Sequence, residues 1–267
     1  MELSIEWVSH WKDGQEMKAY QVMPPKATDH TPSVLVIQEI WGPDEHIQDM
    51  ARRFAESGYV ALAPDLYSRG GRPDVLSFAR IEAVKRFFDT LPQAAWMDNT
   101  LREQYLNQLP ADEGARIRQT LGVLFGPRDT DAMVSDLKAW AQYLRGQGRE
   151  VASIGYCMGG ALSFALATEL PDLKAAVCNY GVAPSSESMT AIQCPVFGFY
   201  GGTDHRITDQ VPHVDSAMKE AGKTYYYEIY PEAGHAFFND SRSSYDVNAA
   251  RDAWAKTLQF LASQIPL

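Results

Sequence analysis

Six residues, Gly155-Tyr156-Cys157-Met158-Gly159-Gly160, constrain this chain more than any others. They set a thiol between two glycines where the apolar run Val151 to Ile154 gives way to a small-residue, helix-prone stretch. A strand that becomes a helix over so few residues forces its central residue into a strained backbone conformation, and neighbours two positions away must be glycine-sized to avoid it. The pattern is that of a nucleophile elbow, which lifts its central side chain above the end of a sheet.

The rest of the chain supplies such a sheet. From Val34 onward short apolar runs alternate with longer helical patterns, which predicts an α/β fold with a mostly parallel, doubly wound sheet and helices on both faces. Strands are expected at 33–38, 59–63, 150–154, 173–179, 195–200 and 224–230, and helices at 44–57, 132–146, 158–169, 208–221 and 244–263. The opening segments 4–8 and 16–23, around Asp13-Gly14, predict an antiparallel hairpin at the sheet edge. Between 68 and 131 the alternation fails. Helical patterns around 74–90, 99–109 and 112–124 make 70–131 a helical excursion, either a substrate-enclosing cap or ordinary helices packed on one sheet face. A single domain over 1–267 is expected, since nothing reads as a long flexible linker.

Charge and cysteine usage exclude several function classes. The balance of 24 basic against 34 acidic residues, net −10, argues against nucleic acid or an anionic membrane as partner and leaves a small molecule. The start Met1-Glu2-Leu3-Ser4-Ile5-Glu6-Trp7 lacks the basic and apolar regions of a signal peptide, and no apolar run approaches a membrane span, so a soluble cytoplasmic protein is expected. The three cysteines, Cys157, Cys178 and Cys194, form no C-x-x-C or zinc-like cluster, so reduced thiols and no metal are expected. Cys178 and Cys194 read as small core or near-core residues.

Cys157 needs a base, because the thiolate is the nucleophile. Among six histidines His235 fits best, on a turn just beyond the last expected strand. His205 is its main rival, and His10, His30, His46 and His213 fall in expected surface loops or exposed helix positions. Asp204 follows Phe199-Tyr200-Gly201-Gly202-Thr203 and either orients the histidine or caps the next helix. Cys157, Asp204 and His235 occur in the nucleophile-acid-histidine order of the α/β-hydrolases. In that fold the oxyanion is held by backbone N–H groups, here those of Met158 and Ile40.

Four segments carry a closer likeness: Val36-Ile37-Gln38-Glu39-Ile40-Trp41-Gly42, Ala63-Pro64-Asp65-Leu66-Tyr67-Ser68-Arg69, the elbow itself, and Tyr230 to Phe237. In them the chain resembles the dienelactone hydrolases, or carboxymethylenebutenolidases. The resemblance implies a cofactor-independent α/β-hydrolase that opens an enol-lactone through an acyl-enzyme on Cys157, with Asp204 and His235. It also implies that Glu39 helps to handle the thiol proton, a carboxylate beside a thiol holding it neutral until substrate binds. Two arginines hold the substrate carboxylate in relatives acting on dienelactone. Arg69 matches the first and, with Tyr67, is an expected substrate-binding residue, whereas Asn239 stands where the second belongs. Arg206 and Arg242 are candidates to replace it. The same triad also suits a thioesterase, acyltransferase or peptidase, and the same fold a non-catalytic ligand-binding or redox-sensing protein.

Overall fold

The computed structural model describes residues 2–96 and 98–267. β1 (Ser4–Lys12) and β2 (Gln15–Met23) form an antiparallel hairpin in which Lys12 pairs with Gln15. Asp13 and Gly14 turn it with φ of 52° and 74°, the positive pair that a tight two-residue turn requires. Six further strands follow: β3 (Ser33–Ile37), β4 (Val60–Asp65), β5 (Val151–Tyr156), β6 (Ala176–Asn179), β7 (Val196–Gly201) and β8 (Tyr225–Tyr230). The sheet order is β1-β2-β4-β3-β5-β6-β7-β8, and the six from β3 onward run parallel.

The helices in chain order begin with α1 (Glu45–Glu56), α2 (Phe78–Asp89), α3 (Asn99–Leu106), α4 (Ala111–Leu124) and α5 (Thr130–Arg145). They continue with α6 (Met158–Glu169), α7 (Ser186–Met189), α8 (His205–Thr208), α9 (Val211–Glu220) and α10 (Val247–Gln264). Among the described residues no helix is long and apolar enough to cross a membrane. The chain divides into two compact units, one running through Leu66 and resuming at Thr130–Leu267, the other Tyr67–Asp129.

In the first unit the period-two alternation of the strands builds two cores. Leu35, Ile37, Leu62 and Val196 face α5, α6 and α9 through Leu137, Trp140, Leu162, Leu166 and Val214. Val34, Val36, Ala61 and Val177 face α1 and α10 through Met50, Phe54, Ala253 and Leu261. Each of the larger aliphatic side chains among them contributes about 1.5–3 kcal/mol on burial, so one residue's shift in strand register would expose a whole face. In the second unit Arg80 on α2 ties α4 down, donating to Thr120 Oγ1 (3.1 Å), the Arg116 carbonyl (2.8 Å) and Gln119 Oε1 (3.0 Å).

Several expected boundaries move, each for a local reason. The expected helix 208–221 is α9, which begins only at Val211 with Pro212 in its first turn, where a missing N–H costs nothing, and the short α8 precedes it. The last helix starts at Val247 rather than Ser244, where the Asp246 carboxylate accepts the N–H groups of Asn248 and Ala249. Ordered pairing in β6 begins at Ala176 rather than Leu173. His46, expected at an exposed helix position, is instead buried, with its ring packed edge-on to Tyr156.

At the junction of β5 and α6, Cys157 takes φ 55°, in the left-handed region. A Cβ on Gly155 would lie 1.8 Å from the Gly159 carbonyl oxygen, and one on Gly159 would lie 2.2 Å from that of Ile37 and 2.5 Å from that of Gln38. The first turn of α6 thus rests directly on the end of β3. Gly159→Ala should therefore cost about 2–4 kcal/mol, since the obstructing atoms are backbone on both sides. Gly122→Ala, on exposed α4 with nothing within 4 Å of the added carbon, should stabilise by up to about 1 kcal/mol. Urea midpoints for the two variants check both signs.

Candidate active site

The carboxyl ends of the parallel strands of the first unit lie along one edge of the sheet, where open α/β sheets hold their ligands. Glu39 follows β3, Cys157 follows β5, Tyr180 follows β6, Asp204 follows β7 and His235 follows β8. The loops after β7 and β8 touch backbone to backbone. A Cβ on Gly201 would meet the Gly234 carbonyl oxygen at 2.5 Å, and one on Gly202 the Pro231 carbonyl oxygen at 2.5 Å. Hydrogen bonds from Gly202 N to Tyr230 O (2.7 Å) and Thr203 N to Ala233 O (3.0 Å) lace the two loops together.

That lacing brings Asp204 to His235. The imidazole Nδ1 donates to Asp204 Oδ2 at 2.6 Å, and Nε2 lies 3.2 Å from Cys157 Sγ. Burial disfavours a charged imidazole, but the Cys157 charge and the hydrogen bonds to Asp204 and Cys157 outweigh it, and the His235 pKa is pushed up to about 10. The arrangement puts a sulfur, an imidazole and a carboxylate in one hydrogen-bonded line. The rival His205 is exposed and bonds Asp209 Oδ1 at 3.3 Å. Asp204 also occupies the N-cap position of α8, but its side chain makes no cap hydrogen bond.

Glu39 is 2% exposed, and its hydrogen-bond donors among the described residues are neutral. Asn239 Nδ2 donates to Oε2 at 2.8 Å and the Tyr180 hydroxyl to Oε1 at 3.4 Å. Burial first, then the Glu39 charge, raise the Tyr180 pKa well above its ordinary value, so its hydroxyl stays a donor. Its ring stands edge-on to His235 with centroids 5.2 Å apart. Tyr180 thus joins Glu39 to the histidine, a link that sequence reasoning missed. Its one signal was an aromatic residue before Gly181 at a strand end.

Asn239, expected among the substrate-binding residues, has a different place. It is 0% exposed, and its carbonyl oxygen accepts from Ser241 N (3.0 Å) and Ser241 Oγ (2.6 Å) while its amide holds Glu39. With both ends engaged inside the protein, it presents nothing to a substrate carboxylate. Met158 opens α6, so its N–H has no carbonyl within the helix to bond. Ile40 is buried just after Glu39. Tyr67 and Arg69 belong to the second unit and are half-buried. Arg206 is exposed, and Arg242 is buried with its guanidinium 5.4 Å from the centre of the Trp41 ring. Cys178 and Cys194 are free and buried, and burial pushes both thiols up to about 12, which leaves them poor nucleophiles.

Sheet order and elbow define an α/β-hydrolase, a class to which carboxylic ester hydrolases belong. Residues 17–265 match the profile of the dienelactone hydrolase family, and the chain belongs to that family. A relative from Saccharolobus solfataricus, provisionally named a carboxymethylenebutenolidase, is 37% identical over 253 residues, covering 93% of this chain and 95% of its own. A Yersinia pestis protein with the same provisional name is 33% identical, covering 95% and 88%. The crystal structure of a provisionally named dienelactone hydrolase from Klebsiella pneumoniae subsp. pneumoniae superposes with a TM-score of 0.72 at 28% identity, covering 98% of this chain and 99% of that one. The chain is a carboxylic ester hydrolase by family.

The charge balance around His235 is open to direct measurement. An NMR titration of the imidazole C2 proton should give a midpoint far above the ordinary histidine value of about 6.5. In Cys157→Ala the midpoint should fall, because the largest raising influence is gone while burial remains. An unchanged midpoint would assign the rise to Asp204 alone.

Proposed function

We propose that the protein hydrolyses lactones or small esters through an acyl-enzyme on Cys157. The observation that supports this reading most directly is the continuous line from Asp204 through His235 to Cys157, with steps of 2.6 and 3.2 Å. The thiolate attacks the ester carbon, and the tetrahedral oxyanion is received by the Met158 and Ile40 N–H groups. His235 then gives its Nε2 proton to the leaving alkoxide, which in a lactone stays tethered to the acyl group. Next, His235 takes a proton from water, and the hydroxide so formed attacks the thioester to free the acid and restore the thiolate. Asp204 holds the imidazole in the tautomer this sequence needs.

Glu39 in this reading helps to handle the Cys157 proton as substrate binds, and Tyr180 and Asn239 keep its carboxyl group in place. Arg69, on the strength of the sequence resemblance, binds a substrate carboxylate, assisted by Tyr67. Because Asn239 is committed to Glu39, that carboxylate meets one arginine instead of two.

Intact-protein mass spectrometry with a slow lactone or ester should place the acyl adduct on Cys157, and Cys157→Ala should carry none. An adduct on Cys178 or Cys194 would sink the assignment. His235→Ala should lower kcat on the order of 10⁴-fold, whereas His205→Ala should leave it near wild type. For Arg69 the quantity to measure is the ratio of kcat/KM for an acidic ester to that for its neutral analogue. A lost charge-assisted hydrogen bond amounts to roughly 1.5–3 kcal/mol, so Arg69→Ala should lower this ratio about ten-fold to a hundred-fold. No change would leave the arginine out of substrate binding.

A further inference from the structure

β1 is the outer strand of the sheet, and among the described residues no strand lies beyond it. It is nine residues long and pairs with β2 continuously, from Ser4↔Met23 to Lys12↔Gln15, without a bulge or a proline. Its outward row of N–H and C=O groups is therefore straight and regular, the kind of edge that accepts another strand unless something blunts it. One face of this edge is also apolar: Ile5, Trp7 and Trp11 are 48%, 45% and 64% exposed.

The sequence of this edge is self-complementary. Glu6-Trp7-Val8-Ser9-His10-Trp11-Lys12 has an indole two residues to either side of Ser9, and opposite charges three residues to either side. We propose that β1 pairs antiparallel with β1 of a second copy of this chain, about a twofold axis through Ser9. Each Trp7 then stands opposite Trp11 of the other copy, and each Glu6 opposite Lys12, so every favourable pair occurs twice, as in any isologous interface. Aromatic pairs and opposite charges directly across a ladder are the side-chain contacts that stabilise antiparallel pairing.

Ser9 at the centre is what lets four indoles share one face, because a larger residue would hold the two rows apart. Moving the axis by one residue to Val8 puts Trp7 opposite Ser9 and parts Glu6 from Lys12, so only the Ser9 register satisfies both sets of pairs. Lys12 already donates to Ser135 Oγ (2.6 Å) and Asp136 Oδ1 (2.9 Å) on α5, which fixes the ammonium at the strand end. Its third N–H is available to a carboxylate from across the edge. Glu6 accepts from Gln21 Nε2 (3.2 Å) and has further lone pairs for that role. The axis runs perpendicular to the sheet, so both copies of α5 lie on the face opposite the indoles, and the two sheets join into one.

The test is sedimentation velocity on the full chain and its variants. Wild type should sediment as a dimer at tens of micromolar, roughly where modest strand-edge contacts hold. Glu6→Lys and Lys12→Glu each turn two attractive pairs into two like-charge pairs and should weaken dimerisation on the order of ten-fold. The double variant Glu6→Lys, Lys12→Glu restores opposite charges across the axis and should dimerise again, an outcome that misfolding of either single variant cannot imitate. Trp11→Lys should leave the chain monomeric with an unchanged far-ultraviolet spectrum. A wild type that stays monomeric up to about 100 μM overturns the proposal, as does a dimer that both charge reversals leave intact or a folded double variant that stays monomeric.

Discussion

The close approach of Gly159 to the carbonyl groups of Ile37 and Gln38 is the contact on which the site depends. Backbone against backbone leaves no room for adjustment, so the first turn of α6 is locked to the end of β3. Two consequences follow at once. Cys157, between β5 and α6, is held at φ 55°, a conformation that costs of order 1–3 kcal/mol and persists only because both flanking elements are pinned. Glu39, two residues beyond Ile37, is carried on the same strand end that supports the helix. A second backbone contact, between the loops after β7 and β8, does for Asp204 and His235 what the first does for Cys157. Catalytic geometry of this kind is held by glycine packing, with hydrogen bonds refining what sterics have already placed.

The electrostatics of the site divide into two parts. Along the line Asp204–His235–Cys157, the groups on either side of the imidazole favour its protonated form, and the His235 pKa is pushed up to about 10 despite burial. Beside it Glu39 is a buried carboxylate whose two hydrogen-bond partners, Tyr180 and Asn239, are neutral. Neutral donors orient a carboxylate without cancelling its charge, so Glu39 keeps an electrostatic reach that an arginine partner would have quenched. Tyr180 touches both parts at once, through its hydroxyl to Glu39 and its ring to His235.

Much of the architecture was legible in the chain because its signals are local. Alternating Val34-Leu35-Val36-Ile37 reads as a strand buried on both faces, Asp13-Gly14 as a tight hairpin turn, and Gly-x-Cys-x-Gly as an elbow, since each depends on sterics within a few residues. The errors came where a distant or competing group decided the outcome. The helical pattern from 208 becomes a helix only at Val211, with Pro212 in its first turn, and the Asp246 cap sets the last helix to begin at Val247. His46 looked solvent-facing on its own helix and is buried because Tyr156, on a strand more than a hundred residues away, packs against it. Asn239 looked like a substrate contact by its distance from His235, yet its amide is spent on Glu39, 200 residues earlier.

The sequence by itself determined the fold class and the elbow that carries Cys157, and narrowed its partners to a few candidates, because hydrophobic period, glycine spacing and chain order are properties of short segments. Only the tertiary structure decided that His235 and not His205 lies between Asp204 and Cys157, that Glu39 is held by Asn239 and Tyr180, and that two indoles and two opposite charges line one open edge. Those outcomes rest on which strand ends lie side by side and which groups are taken out of water together. Such pairings are set by long-range packing, and no local pattern in the chain encodes them.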